Sequence, residues 1–355
     1  MASTNDTSSD SGYTLRFSLP VTIVLGILIS LVVIITCLGN ILVLVAMKYE
    51  RKLRTYSNYL IANLAACDLV VGAINIPMYI PYLLLQHWPF GQGLCKVWLL
   101  MDYITPAASV IGIVLISLDR YRIVSNALAY KASQNATLTI VSMILPWLVG
   151  FLTYGIAILF WEVGTGTRII PEMECFIPFY DNIYFLLFGS AVEFIVPFFV
   201  MCILNFLIYW EIRKRSRGVL VRTGKVVPVS NDTVSTTANS TDDGASVAGG
   251  EKKGEVKQTT GTVPQAQPKN SYHKDRKAAI NVAILVVVFA ICWGPYEISA
   301  LISAICPTCV NPVLADIAFW MLWLNSTVNP ILYPFLNRGF RNAFKSMLCK
   351  RRGLS

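Results

Sequence analysis

Residues 21–47 read VTIVLGILISLVVIITCLGNILVLVAM, a stretch of 27 residues from Val21 to Met47 without one Asp, Glu, Lys, Arg or His. A helix needs roughly 20 mostly apolar residues to cross the hydrocarbon core of a bilayer. The stretch is too long for the apolar region of a cleavable signal peptide, and residues 1–20 before it are polar. It reads as a spanning helix. Working outward, six more such stretches follow at about 57–85, 97–118, 138–160, 182–210, 278–304 and 313–336, and 138–160 is likewise free of ionisable residues. The whole chain agrees: of 355 residues 55% are apolar, 12% aromatic and only 14% charged, with a mean hydropathy of +0.58. A soluble domain carries about a quarter charged residues, so a water-soluble enzyme is excluded. Nine cysteines are too sparse for a disulfide-built secreted scaffold. The expected fold is an all-α membrane protein, a seven-transmembrane helix bundle.

The net charge of +9 does not point to nucleic acid, because 26 of the 29 basic residues fall in 48–56, 119–137, 211–277 and 337–355. Only Arg16, Lys96 and Arg168 lie on the opposite side. Basic loops stay on the cytoplasmic side, so the N-terminus is expected outside and the C-terminus inside. Five segments result: an extracellular tail 1–20, helices one to five within 21–217, a third cytoplasmic loop 218–270, helices six and seven within 271–336, and a terminal segment 337–355. The loop is rich in Ser, Thr, Gly, Val and charge without periodicity, and is expected to be disordered. In the terminal segment Phe340, Phe344 and Leu348 share one face and Arg341 and Lys345 another, which predicts a short amphipathic cytoplasmic helix on the membrane surface. Cys349 follows as a palmitoylation candidate. Asn5-Asp6-Thr7 is a glycosylation acceptor on the outer side. The matches at Asn135, Asn231 and Asn239 fall on the cytoplasmic side, and Asn325 falls inside a helix.

Ionisable groups within spanning helices are costly, and four acids stand there: Asp68, Asp102, Glu193 and Glu297. Asp316 lies at the outer end of helix seven. No Lys or Arg occurs at similar depth, which makes a cation the missing partner; the alternative is a hydrated polar network with some acids protonated. Helix three acts as a ruler. At 1.5 Å per residue, Asp102 and Arg120 are roughly 27 Å apart, close to a bilayer thickness. Cys95 then sits at the outer mouth, Asp102 in an outer cavity and Asp119-Arg120-Tyr121 at the cytoplasmic edge. Cys175 in the 161–180 loop is the expected disulfide partner of Cys95, and Cys306–Cys309 would close a second small loop.

With these residues in place, the chain resembles rhodopsin-like G-protein-coupled receptors over nearly its whole length. The matches are Gly39-Asn40, Asn63-Leu-Ala-Ala-Cys-Asp68, Asp119-Arg-Tyr121, Trp147, Pro197, Phe289-x-x-Cys-Trp-x-Pro295 and Asn329-Pro-Ile-Leu-Tyr333. Each lies on its own helix and they come in order. Within the family Asp102 matches the position where aminergic receptors hold a ligand ammonium. Glu193, four residues before Pro197, resembles the acid that histamine receptors of the third and fourth subtypes set against the imidazole. The strings Ile76-Pro-Met-Tyr-Ile-Pro81, Ser125-Asn126, Glu193-Phe194, Phe319-Trp320 and Trp323-x-Asn325-Ser326 agree with that group, the fourth subtype most of all. The resemblance implies a plasma-membrane receptor for a biogenic amine, histamine foremost, that activates a heterotrimeric G protein of the inhibitory type and meets arrestin and receptor kinases.

Histamine suits two facing carboxylates, with its ammonium at Asp102 and its imidazole at Glu193. Tyr103, Tyr296, Phe319, Trp320 and Trp323 would supply an aromatic cage for the ammonium, and Phe176 a cap. Asp68, Ser109, Asn325, Ser326 and Asn329 resemble the family's allosteric sodium pocket; no cofactor is expected beyond that ion. Asp119 and Asp275 would hold Arg120 until helix six swings about Pro295, with Phe289, Trp293 and Tyr333 as its switch residues.

Two residues depart from the family. Pro106, one turn after Asp102, removes an N–H and is expected to bend helix three. Glu297 stands where a neutral residue is expected, adding a third acid that would compete with Glu193 or favour a dibasic ligand. Other readings are another monoamine receptor, or one for acetylcholine, whose quaternary ammonium leaves Glu193 and Glu297 without a partner. A retinal-based light receptor would need a lysine in 313–336, which has none. An ion-coupled transporter would leave the ordered motifs unexplained. Enzyme chemistry has no support, since His87 and His273 are the only histidines and lie on opposite sides.

Overall fold

The computed structural model describes residues 16–166, 169–223, 269–306 and 308–350. Among them there is no strand. The spanning helices are α1 (Leu19–Tyr49), α2 (Tyr56–Leu85), α3 (Gly91–Ser125), α5 (Ala136–Thr165), α6 (beginning at Ile183 and ending with Val196–Thr223), α7 (Lys269–Ile305) and α8 (Pro312–Leu336). The short α4 (Ala127–Ser133) links α3 to α5, and α9 (Arg338–Lys350) follows α8. Helices α6 and α7 thus reach into the segment 218–270 from both sides, to Thr223 and from Lys269.

Asparagines start four of these helices. Asn126, Asn135, Asn182 and Asn311 each accept a hydrogen bond from an N–H of the first turn, at 3.1, 2.6, 3.0 and 2.9 Å. Such caps satisfy backbone donors that the helix itself cannot. Six of the described helices are apolar enough to cross a membrane by composition alone, and α8 is the exception. Its Asn325, Ser326, Thr327 and Asn329 dilute it, yet all four are buried in the bundle. On α1 only 11% of the apolar window is buried, so Leu28, Ile34, Leu38 and their neighbours present an apolar surface fit for lipid.

Helix α3 runs through the middle, packed against α2, α5, α6 and α7. It is helical on both sides of Pro106, whose missing N–H leaves the Asp102 carbonyl without its helical donor, and one turn earlier Thr105 Oγ1 donates to the Met101 carbonyl at 2.5 Å. Helix α1 closes onto α8 at Gly39, where an added Cβ would lie 2.8 Å from Pro330 Cγ. The same seam carries Thr36–Thr327 hydroxyl contact at 2.7 Å and Asn40 Nδ2 donating to the Ser326 carbonyl at 3.2 Å. Between α2 and α5, Trp147 Nε1 donates to Asn63 Oδ1 at 3.0 Å.

Wide π turns interrupt α2 at Val71–Asn75, α5 at Phe151–Gly155 and α6 at Ala191–Ile195. Two of them end just before Pro77 and Pro197. Proline lacks an N–H and crowds the preceding turn, and a widened turn absorbs the misfit. Each such turn shifts the rotational register of its helix, so the one in α6 sets the direction of Glu193.

Candidate functional site

The site is assembled at the end of the bundle that carries both disulfides. Cys95 and Cys175 are bonded, with Cα atoms 5.6 Å apart, and Cys306 is bonded to Cys309. The loop before α6 is tied to α3 at two further points. Gln92 Nε2 donates to the carbonyls of Pro171 and Glu174 at 2.6 and 3.1 Å. Lys96 pairs with Glu162 at 3.0 Å, and Glu162 also accepts from the Ile169 and Ile170 N–H groups.

Below this lid Asp102 projects from α3, two turns in from Cys95. Its Oδ1 accepts from Trp323 Nε1 at 3.3 Å. Trp323 is the centre of an aromatic box, with ring centroids 4.5 Å from Phe319, 5.2 Å from Trp320 and 5.2 Å from Tyr79. Tyr296 joins the box through Phe319 at 5.8 Å. Four of the predicted cage residues therefore form one cluster that meets Asp102 through Trp323, and Tyr79 from α2 is an added member.

Next to the box lies a cavity of about 70 Å³ lined by Tyr103, Tyr154, Ser190, Glu193, Tyr296 and Glu297 among others. Tyr103 follows Asp102 in the chain and packs on Tyr154 at 5.2 Å, while Tyr296 belongs to both box and cavity. Ser190 Oγ donates to Glu297 Oε2 at 2.6 Å, and Glu297 is 4% exposed. Glu193 has the Tyr154 hydroxyl as its hydrogen-bond partner. The cavity is closed by Ile177 and Phe179 from the loop. Phe176, the expected cap, packs edge-on against Tyr180 at 5.4 Å instead. The described ion pairs are Arg16–Asp316, Lys96–Glu162 and Arg120–Asp119. None of them reaches Asp102, Glu193 or Glu297.

At mid-depth Asn329 Nδ2 donates to Asp68 Oδ2 at 2.9 Å and to Asn325 Oδ1 at 3.1 Å. Asp68 Oδ1 and Ser109 Oγ are buried with no hydrogen-bond partner, and Ser326 is buried beside them. A carboxylate, hydroxyls and amide oxygens form a hard, all-oxygen donor set, which fits a small alkali cation.

At the opposite end Asp119 accepts from Ser57 Oγ at 2.6 Å and from the Tyr130 hydroxyl at 2.8 Å, and lies 3.7 Å from Arg120 Nε. Tyr121 packs with Val124, Ile208 and Ala279. Arg215 from α6 donates to the Val124 carbonyl. Between the two ends, Phe289 and Trp293 lie tilted to each other with centroids 5.4 Å apart on α7, within the two turns before Pro295. Tyr333 ends α8 against Phe340 of α9 at 6.2 Å. Asn5 and most of 218–270 lie outside the described residues, as do the side chains of Asp275, Leu348 and Cys349.

Residues 39–333 match the model of the 7 transmembrane receptor (rhodopsin family). The chain belongs to that family. The receptor is 34% identical over 352 residues to the histamine H4 receptor of Mus musculus, covering 88% of each chain. It is 32% identical over 379 residues to the histamine H4 receptor of Homo sapiens, covering 96% of this chain and 95% of that one. The muscarinic acetylcholine receptor M1 of Macaca mulatta is 28% identical over 410 residues, covering 92% of this chain and 89% of that one. This is therefore a multi-pass membrane receptor and not an enzyme.

The sequence-based set lacks Ser190 of the receptor's candidate site, and it lacks two tyrosines, Tyr79 and Tyr154. Both tyrosines lie in apolar stretches where an aromatic residue reads equally as a lipid contact. The proline pair flanking Tyr79, which goes with the π turn in α2, is the one signal in the sequence that could single it out.

Proposed function

We propose that this receptor binds a biogenic amine, with histamine the best fit, and activates a heterotrimeric G protein of the inhibitory type. The observation that carries the reading is a set of three carboxylates without a described Lys or Arg partner, Glu193 and Glu297 lining one cavity and Asp102 bonded to Trp323 of the adjoining aromatic box. A ligand ammonium at Asp102 gains a charge-assisted hydrogen bond and the faces of Trp323, Phe319 and Tyr79. An imidazole directed at Glu193 would lie beside the paired rings of Tyr103 and Tyr154. The relatives named for histamine support this choice. The muscarinic relative supports a second reading, acetylcholine or another monoamine, since the aromatic box also suits a quaternary ammonium. That ligand leaves two carboxylates unmatched.

The distribution of basic residues supports a plasma-membrane orientation with the disulfide end outside and α9 inside. Asp68, Ser109, Asn325, Ser326 and Asn329 would hold a sodium ion, which supplies positive charge to Asp68 and, through linkage, opposes agonist binding. On the inner side Asp119 restrains Arg120, with Asp275 as a second restraint. Outward movement of α7 about Pro295 would open a cleft between Arg213–Arg217 and Lys274–Lys277. A G protein, and after it receptor kinases and arrestin, would engage there. Glycosylation at Asn5 and palmitoylation at Cys349 complete the proposal.

The test is histamine binding to membranes carrying the wild type or Glu193→Gln, with and without guanine nucleotide. Saturable binding that needs Glu193 and weakens with nucleotide is the expected result. No binding by a well-expressed wild type would overturn the histamine reading.

A further inference from the structure

The cavity beneath Ile177 holds one carboxylate more than a primary amine with a neutral ring needs. Glu193 on α6 and Glu297 on α7 line the same space of about 70 Å³. Ser190, one turn before Glu193, fixes Glu297 by donating at 2.6 Å, and Tyr154 occupies Glu193. A carboxylate offers about four acceptor positions, so each acid keeps acceptor capacity after its single neutral donor. The lining contains no Lys, Arg or His.

A neutral imidazole donates from one nitrogen and presents a lone pair at the other. Set between two carboxylates, it would satisfy one and turn its lone pair toward the second. A planar cation with N–H groups on two edges satisfies both. Charge gives the same answer: with Asp102, a monocationic ligand leaves two negative charges uncompensated in a low-dielectric space, and a dication leaves one. The flanking rings of Tyr103, Tyr154 and Tyr296 suit a flat, delocalised cation.

We infer that Glu193 and Glu297 form a two-carboxylate seat for a planar cationic head group, so that the ligand is an amine bearing a second, delocalised cation of the amidinium, guanidinium or imidazolium type. The inference rests on the amine reading, with the primary ammonium at Asp102. It makes Glu297 the residue that separates dications from simple monoamines.

The experiment uses the full chain purified in detergent and reads affinity from ligand-induced thermal stabilisation. The probes are aminoalkylguanidines with two to five methylenes, the matched aminoalkylureas, which keep the shape but lose the charge, and phenethylamine. In the wild type the best guanidine should bind at least about tenfold more tightly than its urea, as hydrogen bonds to charged groups imply. Glu297→Gln should shrink that ratio to about twofold while phenethylamine stays within about twofold of its wild-type affinity. Ser190→Ala, which frees Glu297 without removing it, should shrink the ratio by about threefold, and this keeps the test decisive where Glu297→Gln does not fold. Equal binding of guanidine and urea by the wild type overturns the seat, as does a loss in Glu297→Gln common to all three probes. Failure of the amine reading looks different: no probe binds, or Asp102→Asn changes none of them.

Discussion

Asp102 and Asp119 sit on the same helix, five turns apart, and are kept in opposite conditions. Asp119 is saturated by its own chain, with Ser57 at 2.6 Å, the Tyr130 hydroxyl at 2.8 Å and Arg120 at 3.7 Å. Asp102 has only neutral donors, the Trp323 indole at 3.3 Å and the Asn75 amide, and an aromatic box beside it. A buried carboxylate costs several kcal/mol unless it is paired. Asp119 is paired internally and acts as a fastener. Asp102 has no charged partner among the described ion pairs, and under the proposed function a cationic ligand would supply one.

The contrast is broken most sharply by exchanging each acid for its amide. Asp102→Asn should reduce amine affinity about a hundredfold or more, since truncating a buried charge pair costs about 2–5 kcal/mol. The unliganded thermal midpoint should hold or rise. Asp119→Asn should do the reverse, leaving amine affinity within about threefold and lowering the midpoint, because hydrogen bonds to a charged group are worth about 1.5–3 kcal/mol each. Binding curves and unfolding scans on the two variants decide it, and an Asp102→Asn protein that unfolds early would remove the distinction.

Asp68 lies between these cases, with one oxygen held by Asn329 and the other unpartnered. In Asp68→Asn the weakening of agonist binding by added sodium should vanish, as a titration with sodium against a bulkier cation would read. An effect that survives the substitution rules out the pocket.

The smallest expected change is at Tyr130. Tyr130→Phe removes one of Asp119's donors and should cost about 1 kcal/mol of stability, leaving ligand affinity alone. Burial, the largest cause, pushes the Tyr130 phenol up to about 12. A raised phenol pKa means its contribution is intact below about pH 10 and fades as the pH rises through about 12. The stability gap between wild type and Tyr130→Phe should therefore stay constant from pH 6 to 9, and unfolding midpoints across that range check it.

Much of the architecture is legible in the chain because membranes impose coarse rules. Apolar runs such as 21–47 reveal spans, and Cys95 with Cys175 points to the bridge between α3 and the loop before α6. Intramembrane acids such as Asp102 and Glu193 point to the candidate site because ionisable groups are costly in spanning helices. The hidden part depends on rotation about helix axes. Tyr79 and Tyr154 are ordinary apolar-stretch aromatics until the π turns at Val71–Asn75 and Phe151–Gly155 are known. The place of Phe176 beside Cys175 predicts a cap over the cavity, yet the loop turns Ile177 and Phe179 inward. Pro106 removes the donor to the Asp102 carbonyl, and α3 nevertheless stays helical from Gly91 to Ser125.

The polarity of α8 has a consequence for biosynthesis. A segment carrying Asn325, Ser326, Thr327 and Asn329 partitions poorly into lipid alone, since each polar group without a partner there is penalised. Those groups find partners on α1 and α2: Thr36 for Thr327, the Asn40 amide for the Ser326 carbonyl and Asp68 for Asn329. The entry of α8 into the bilayer thus depends on the first two helices. A chain shortened at its N-terminus should leave its final span outside the membrane, although every residue of that span is intact.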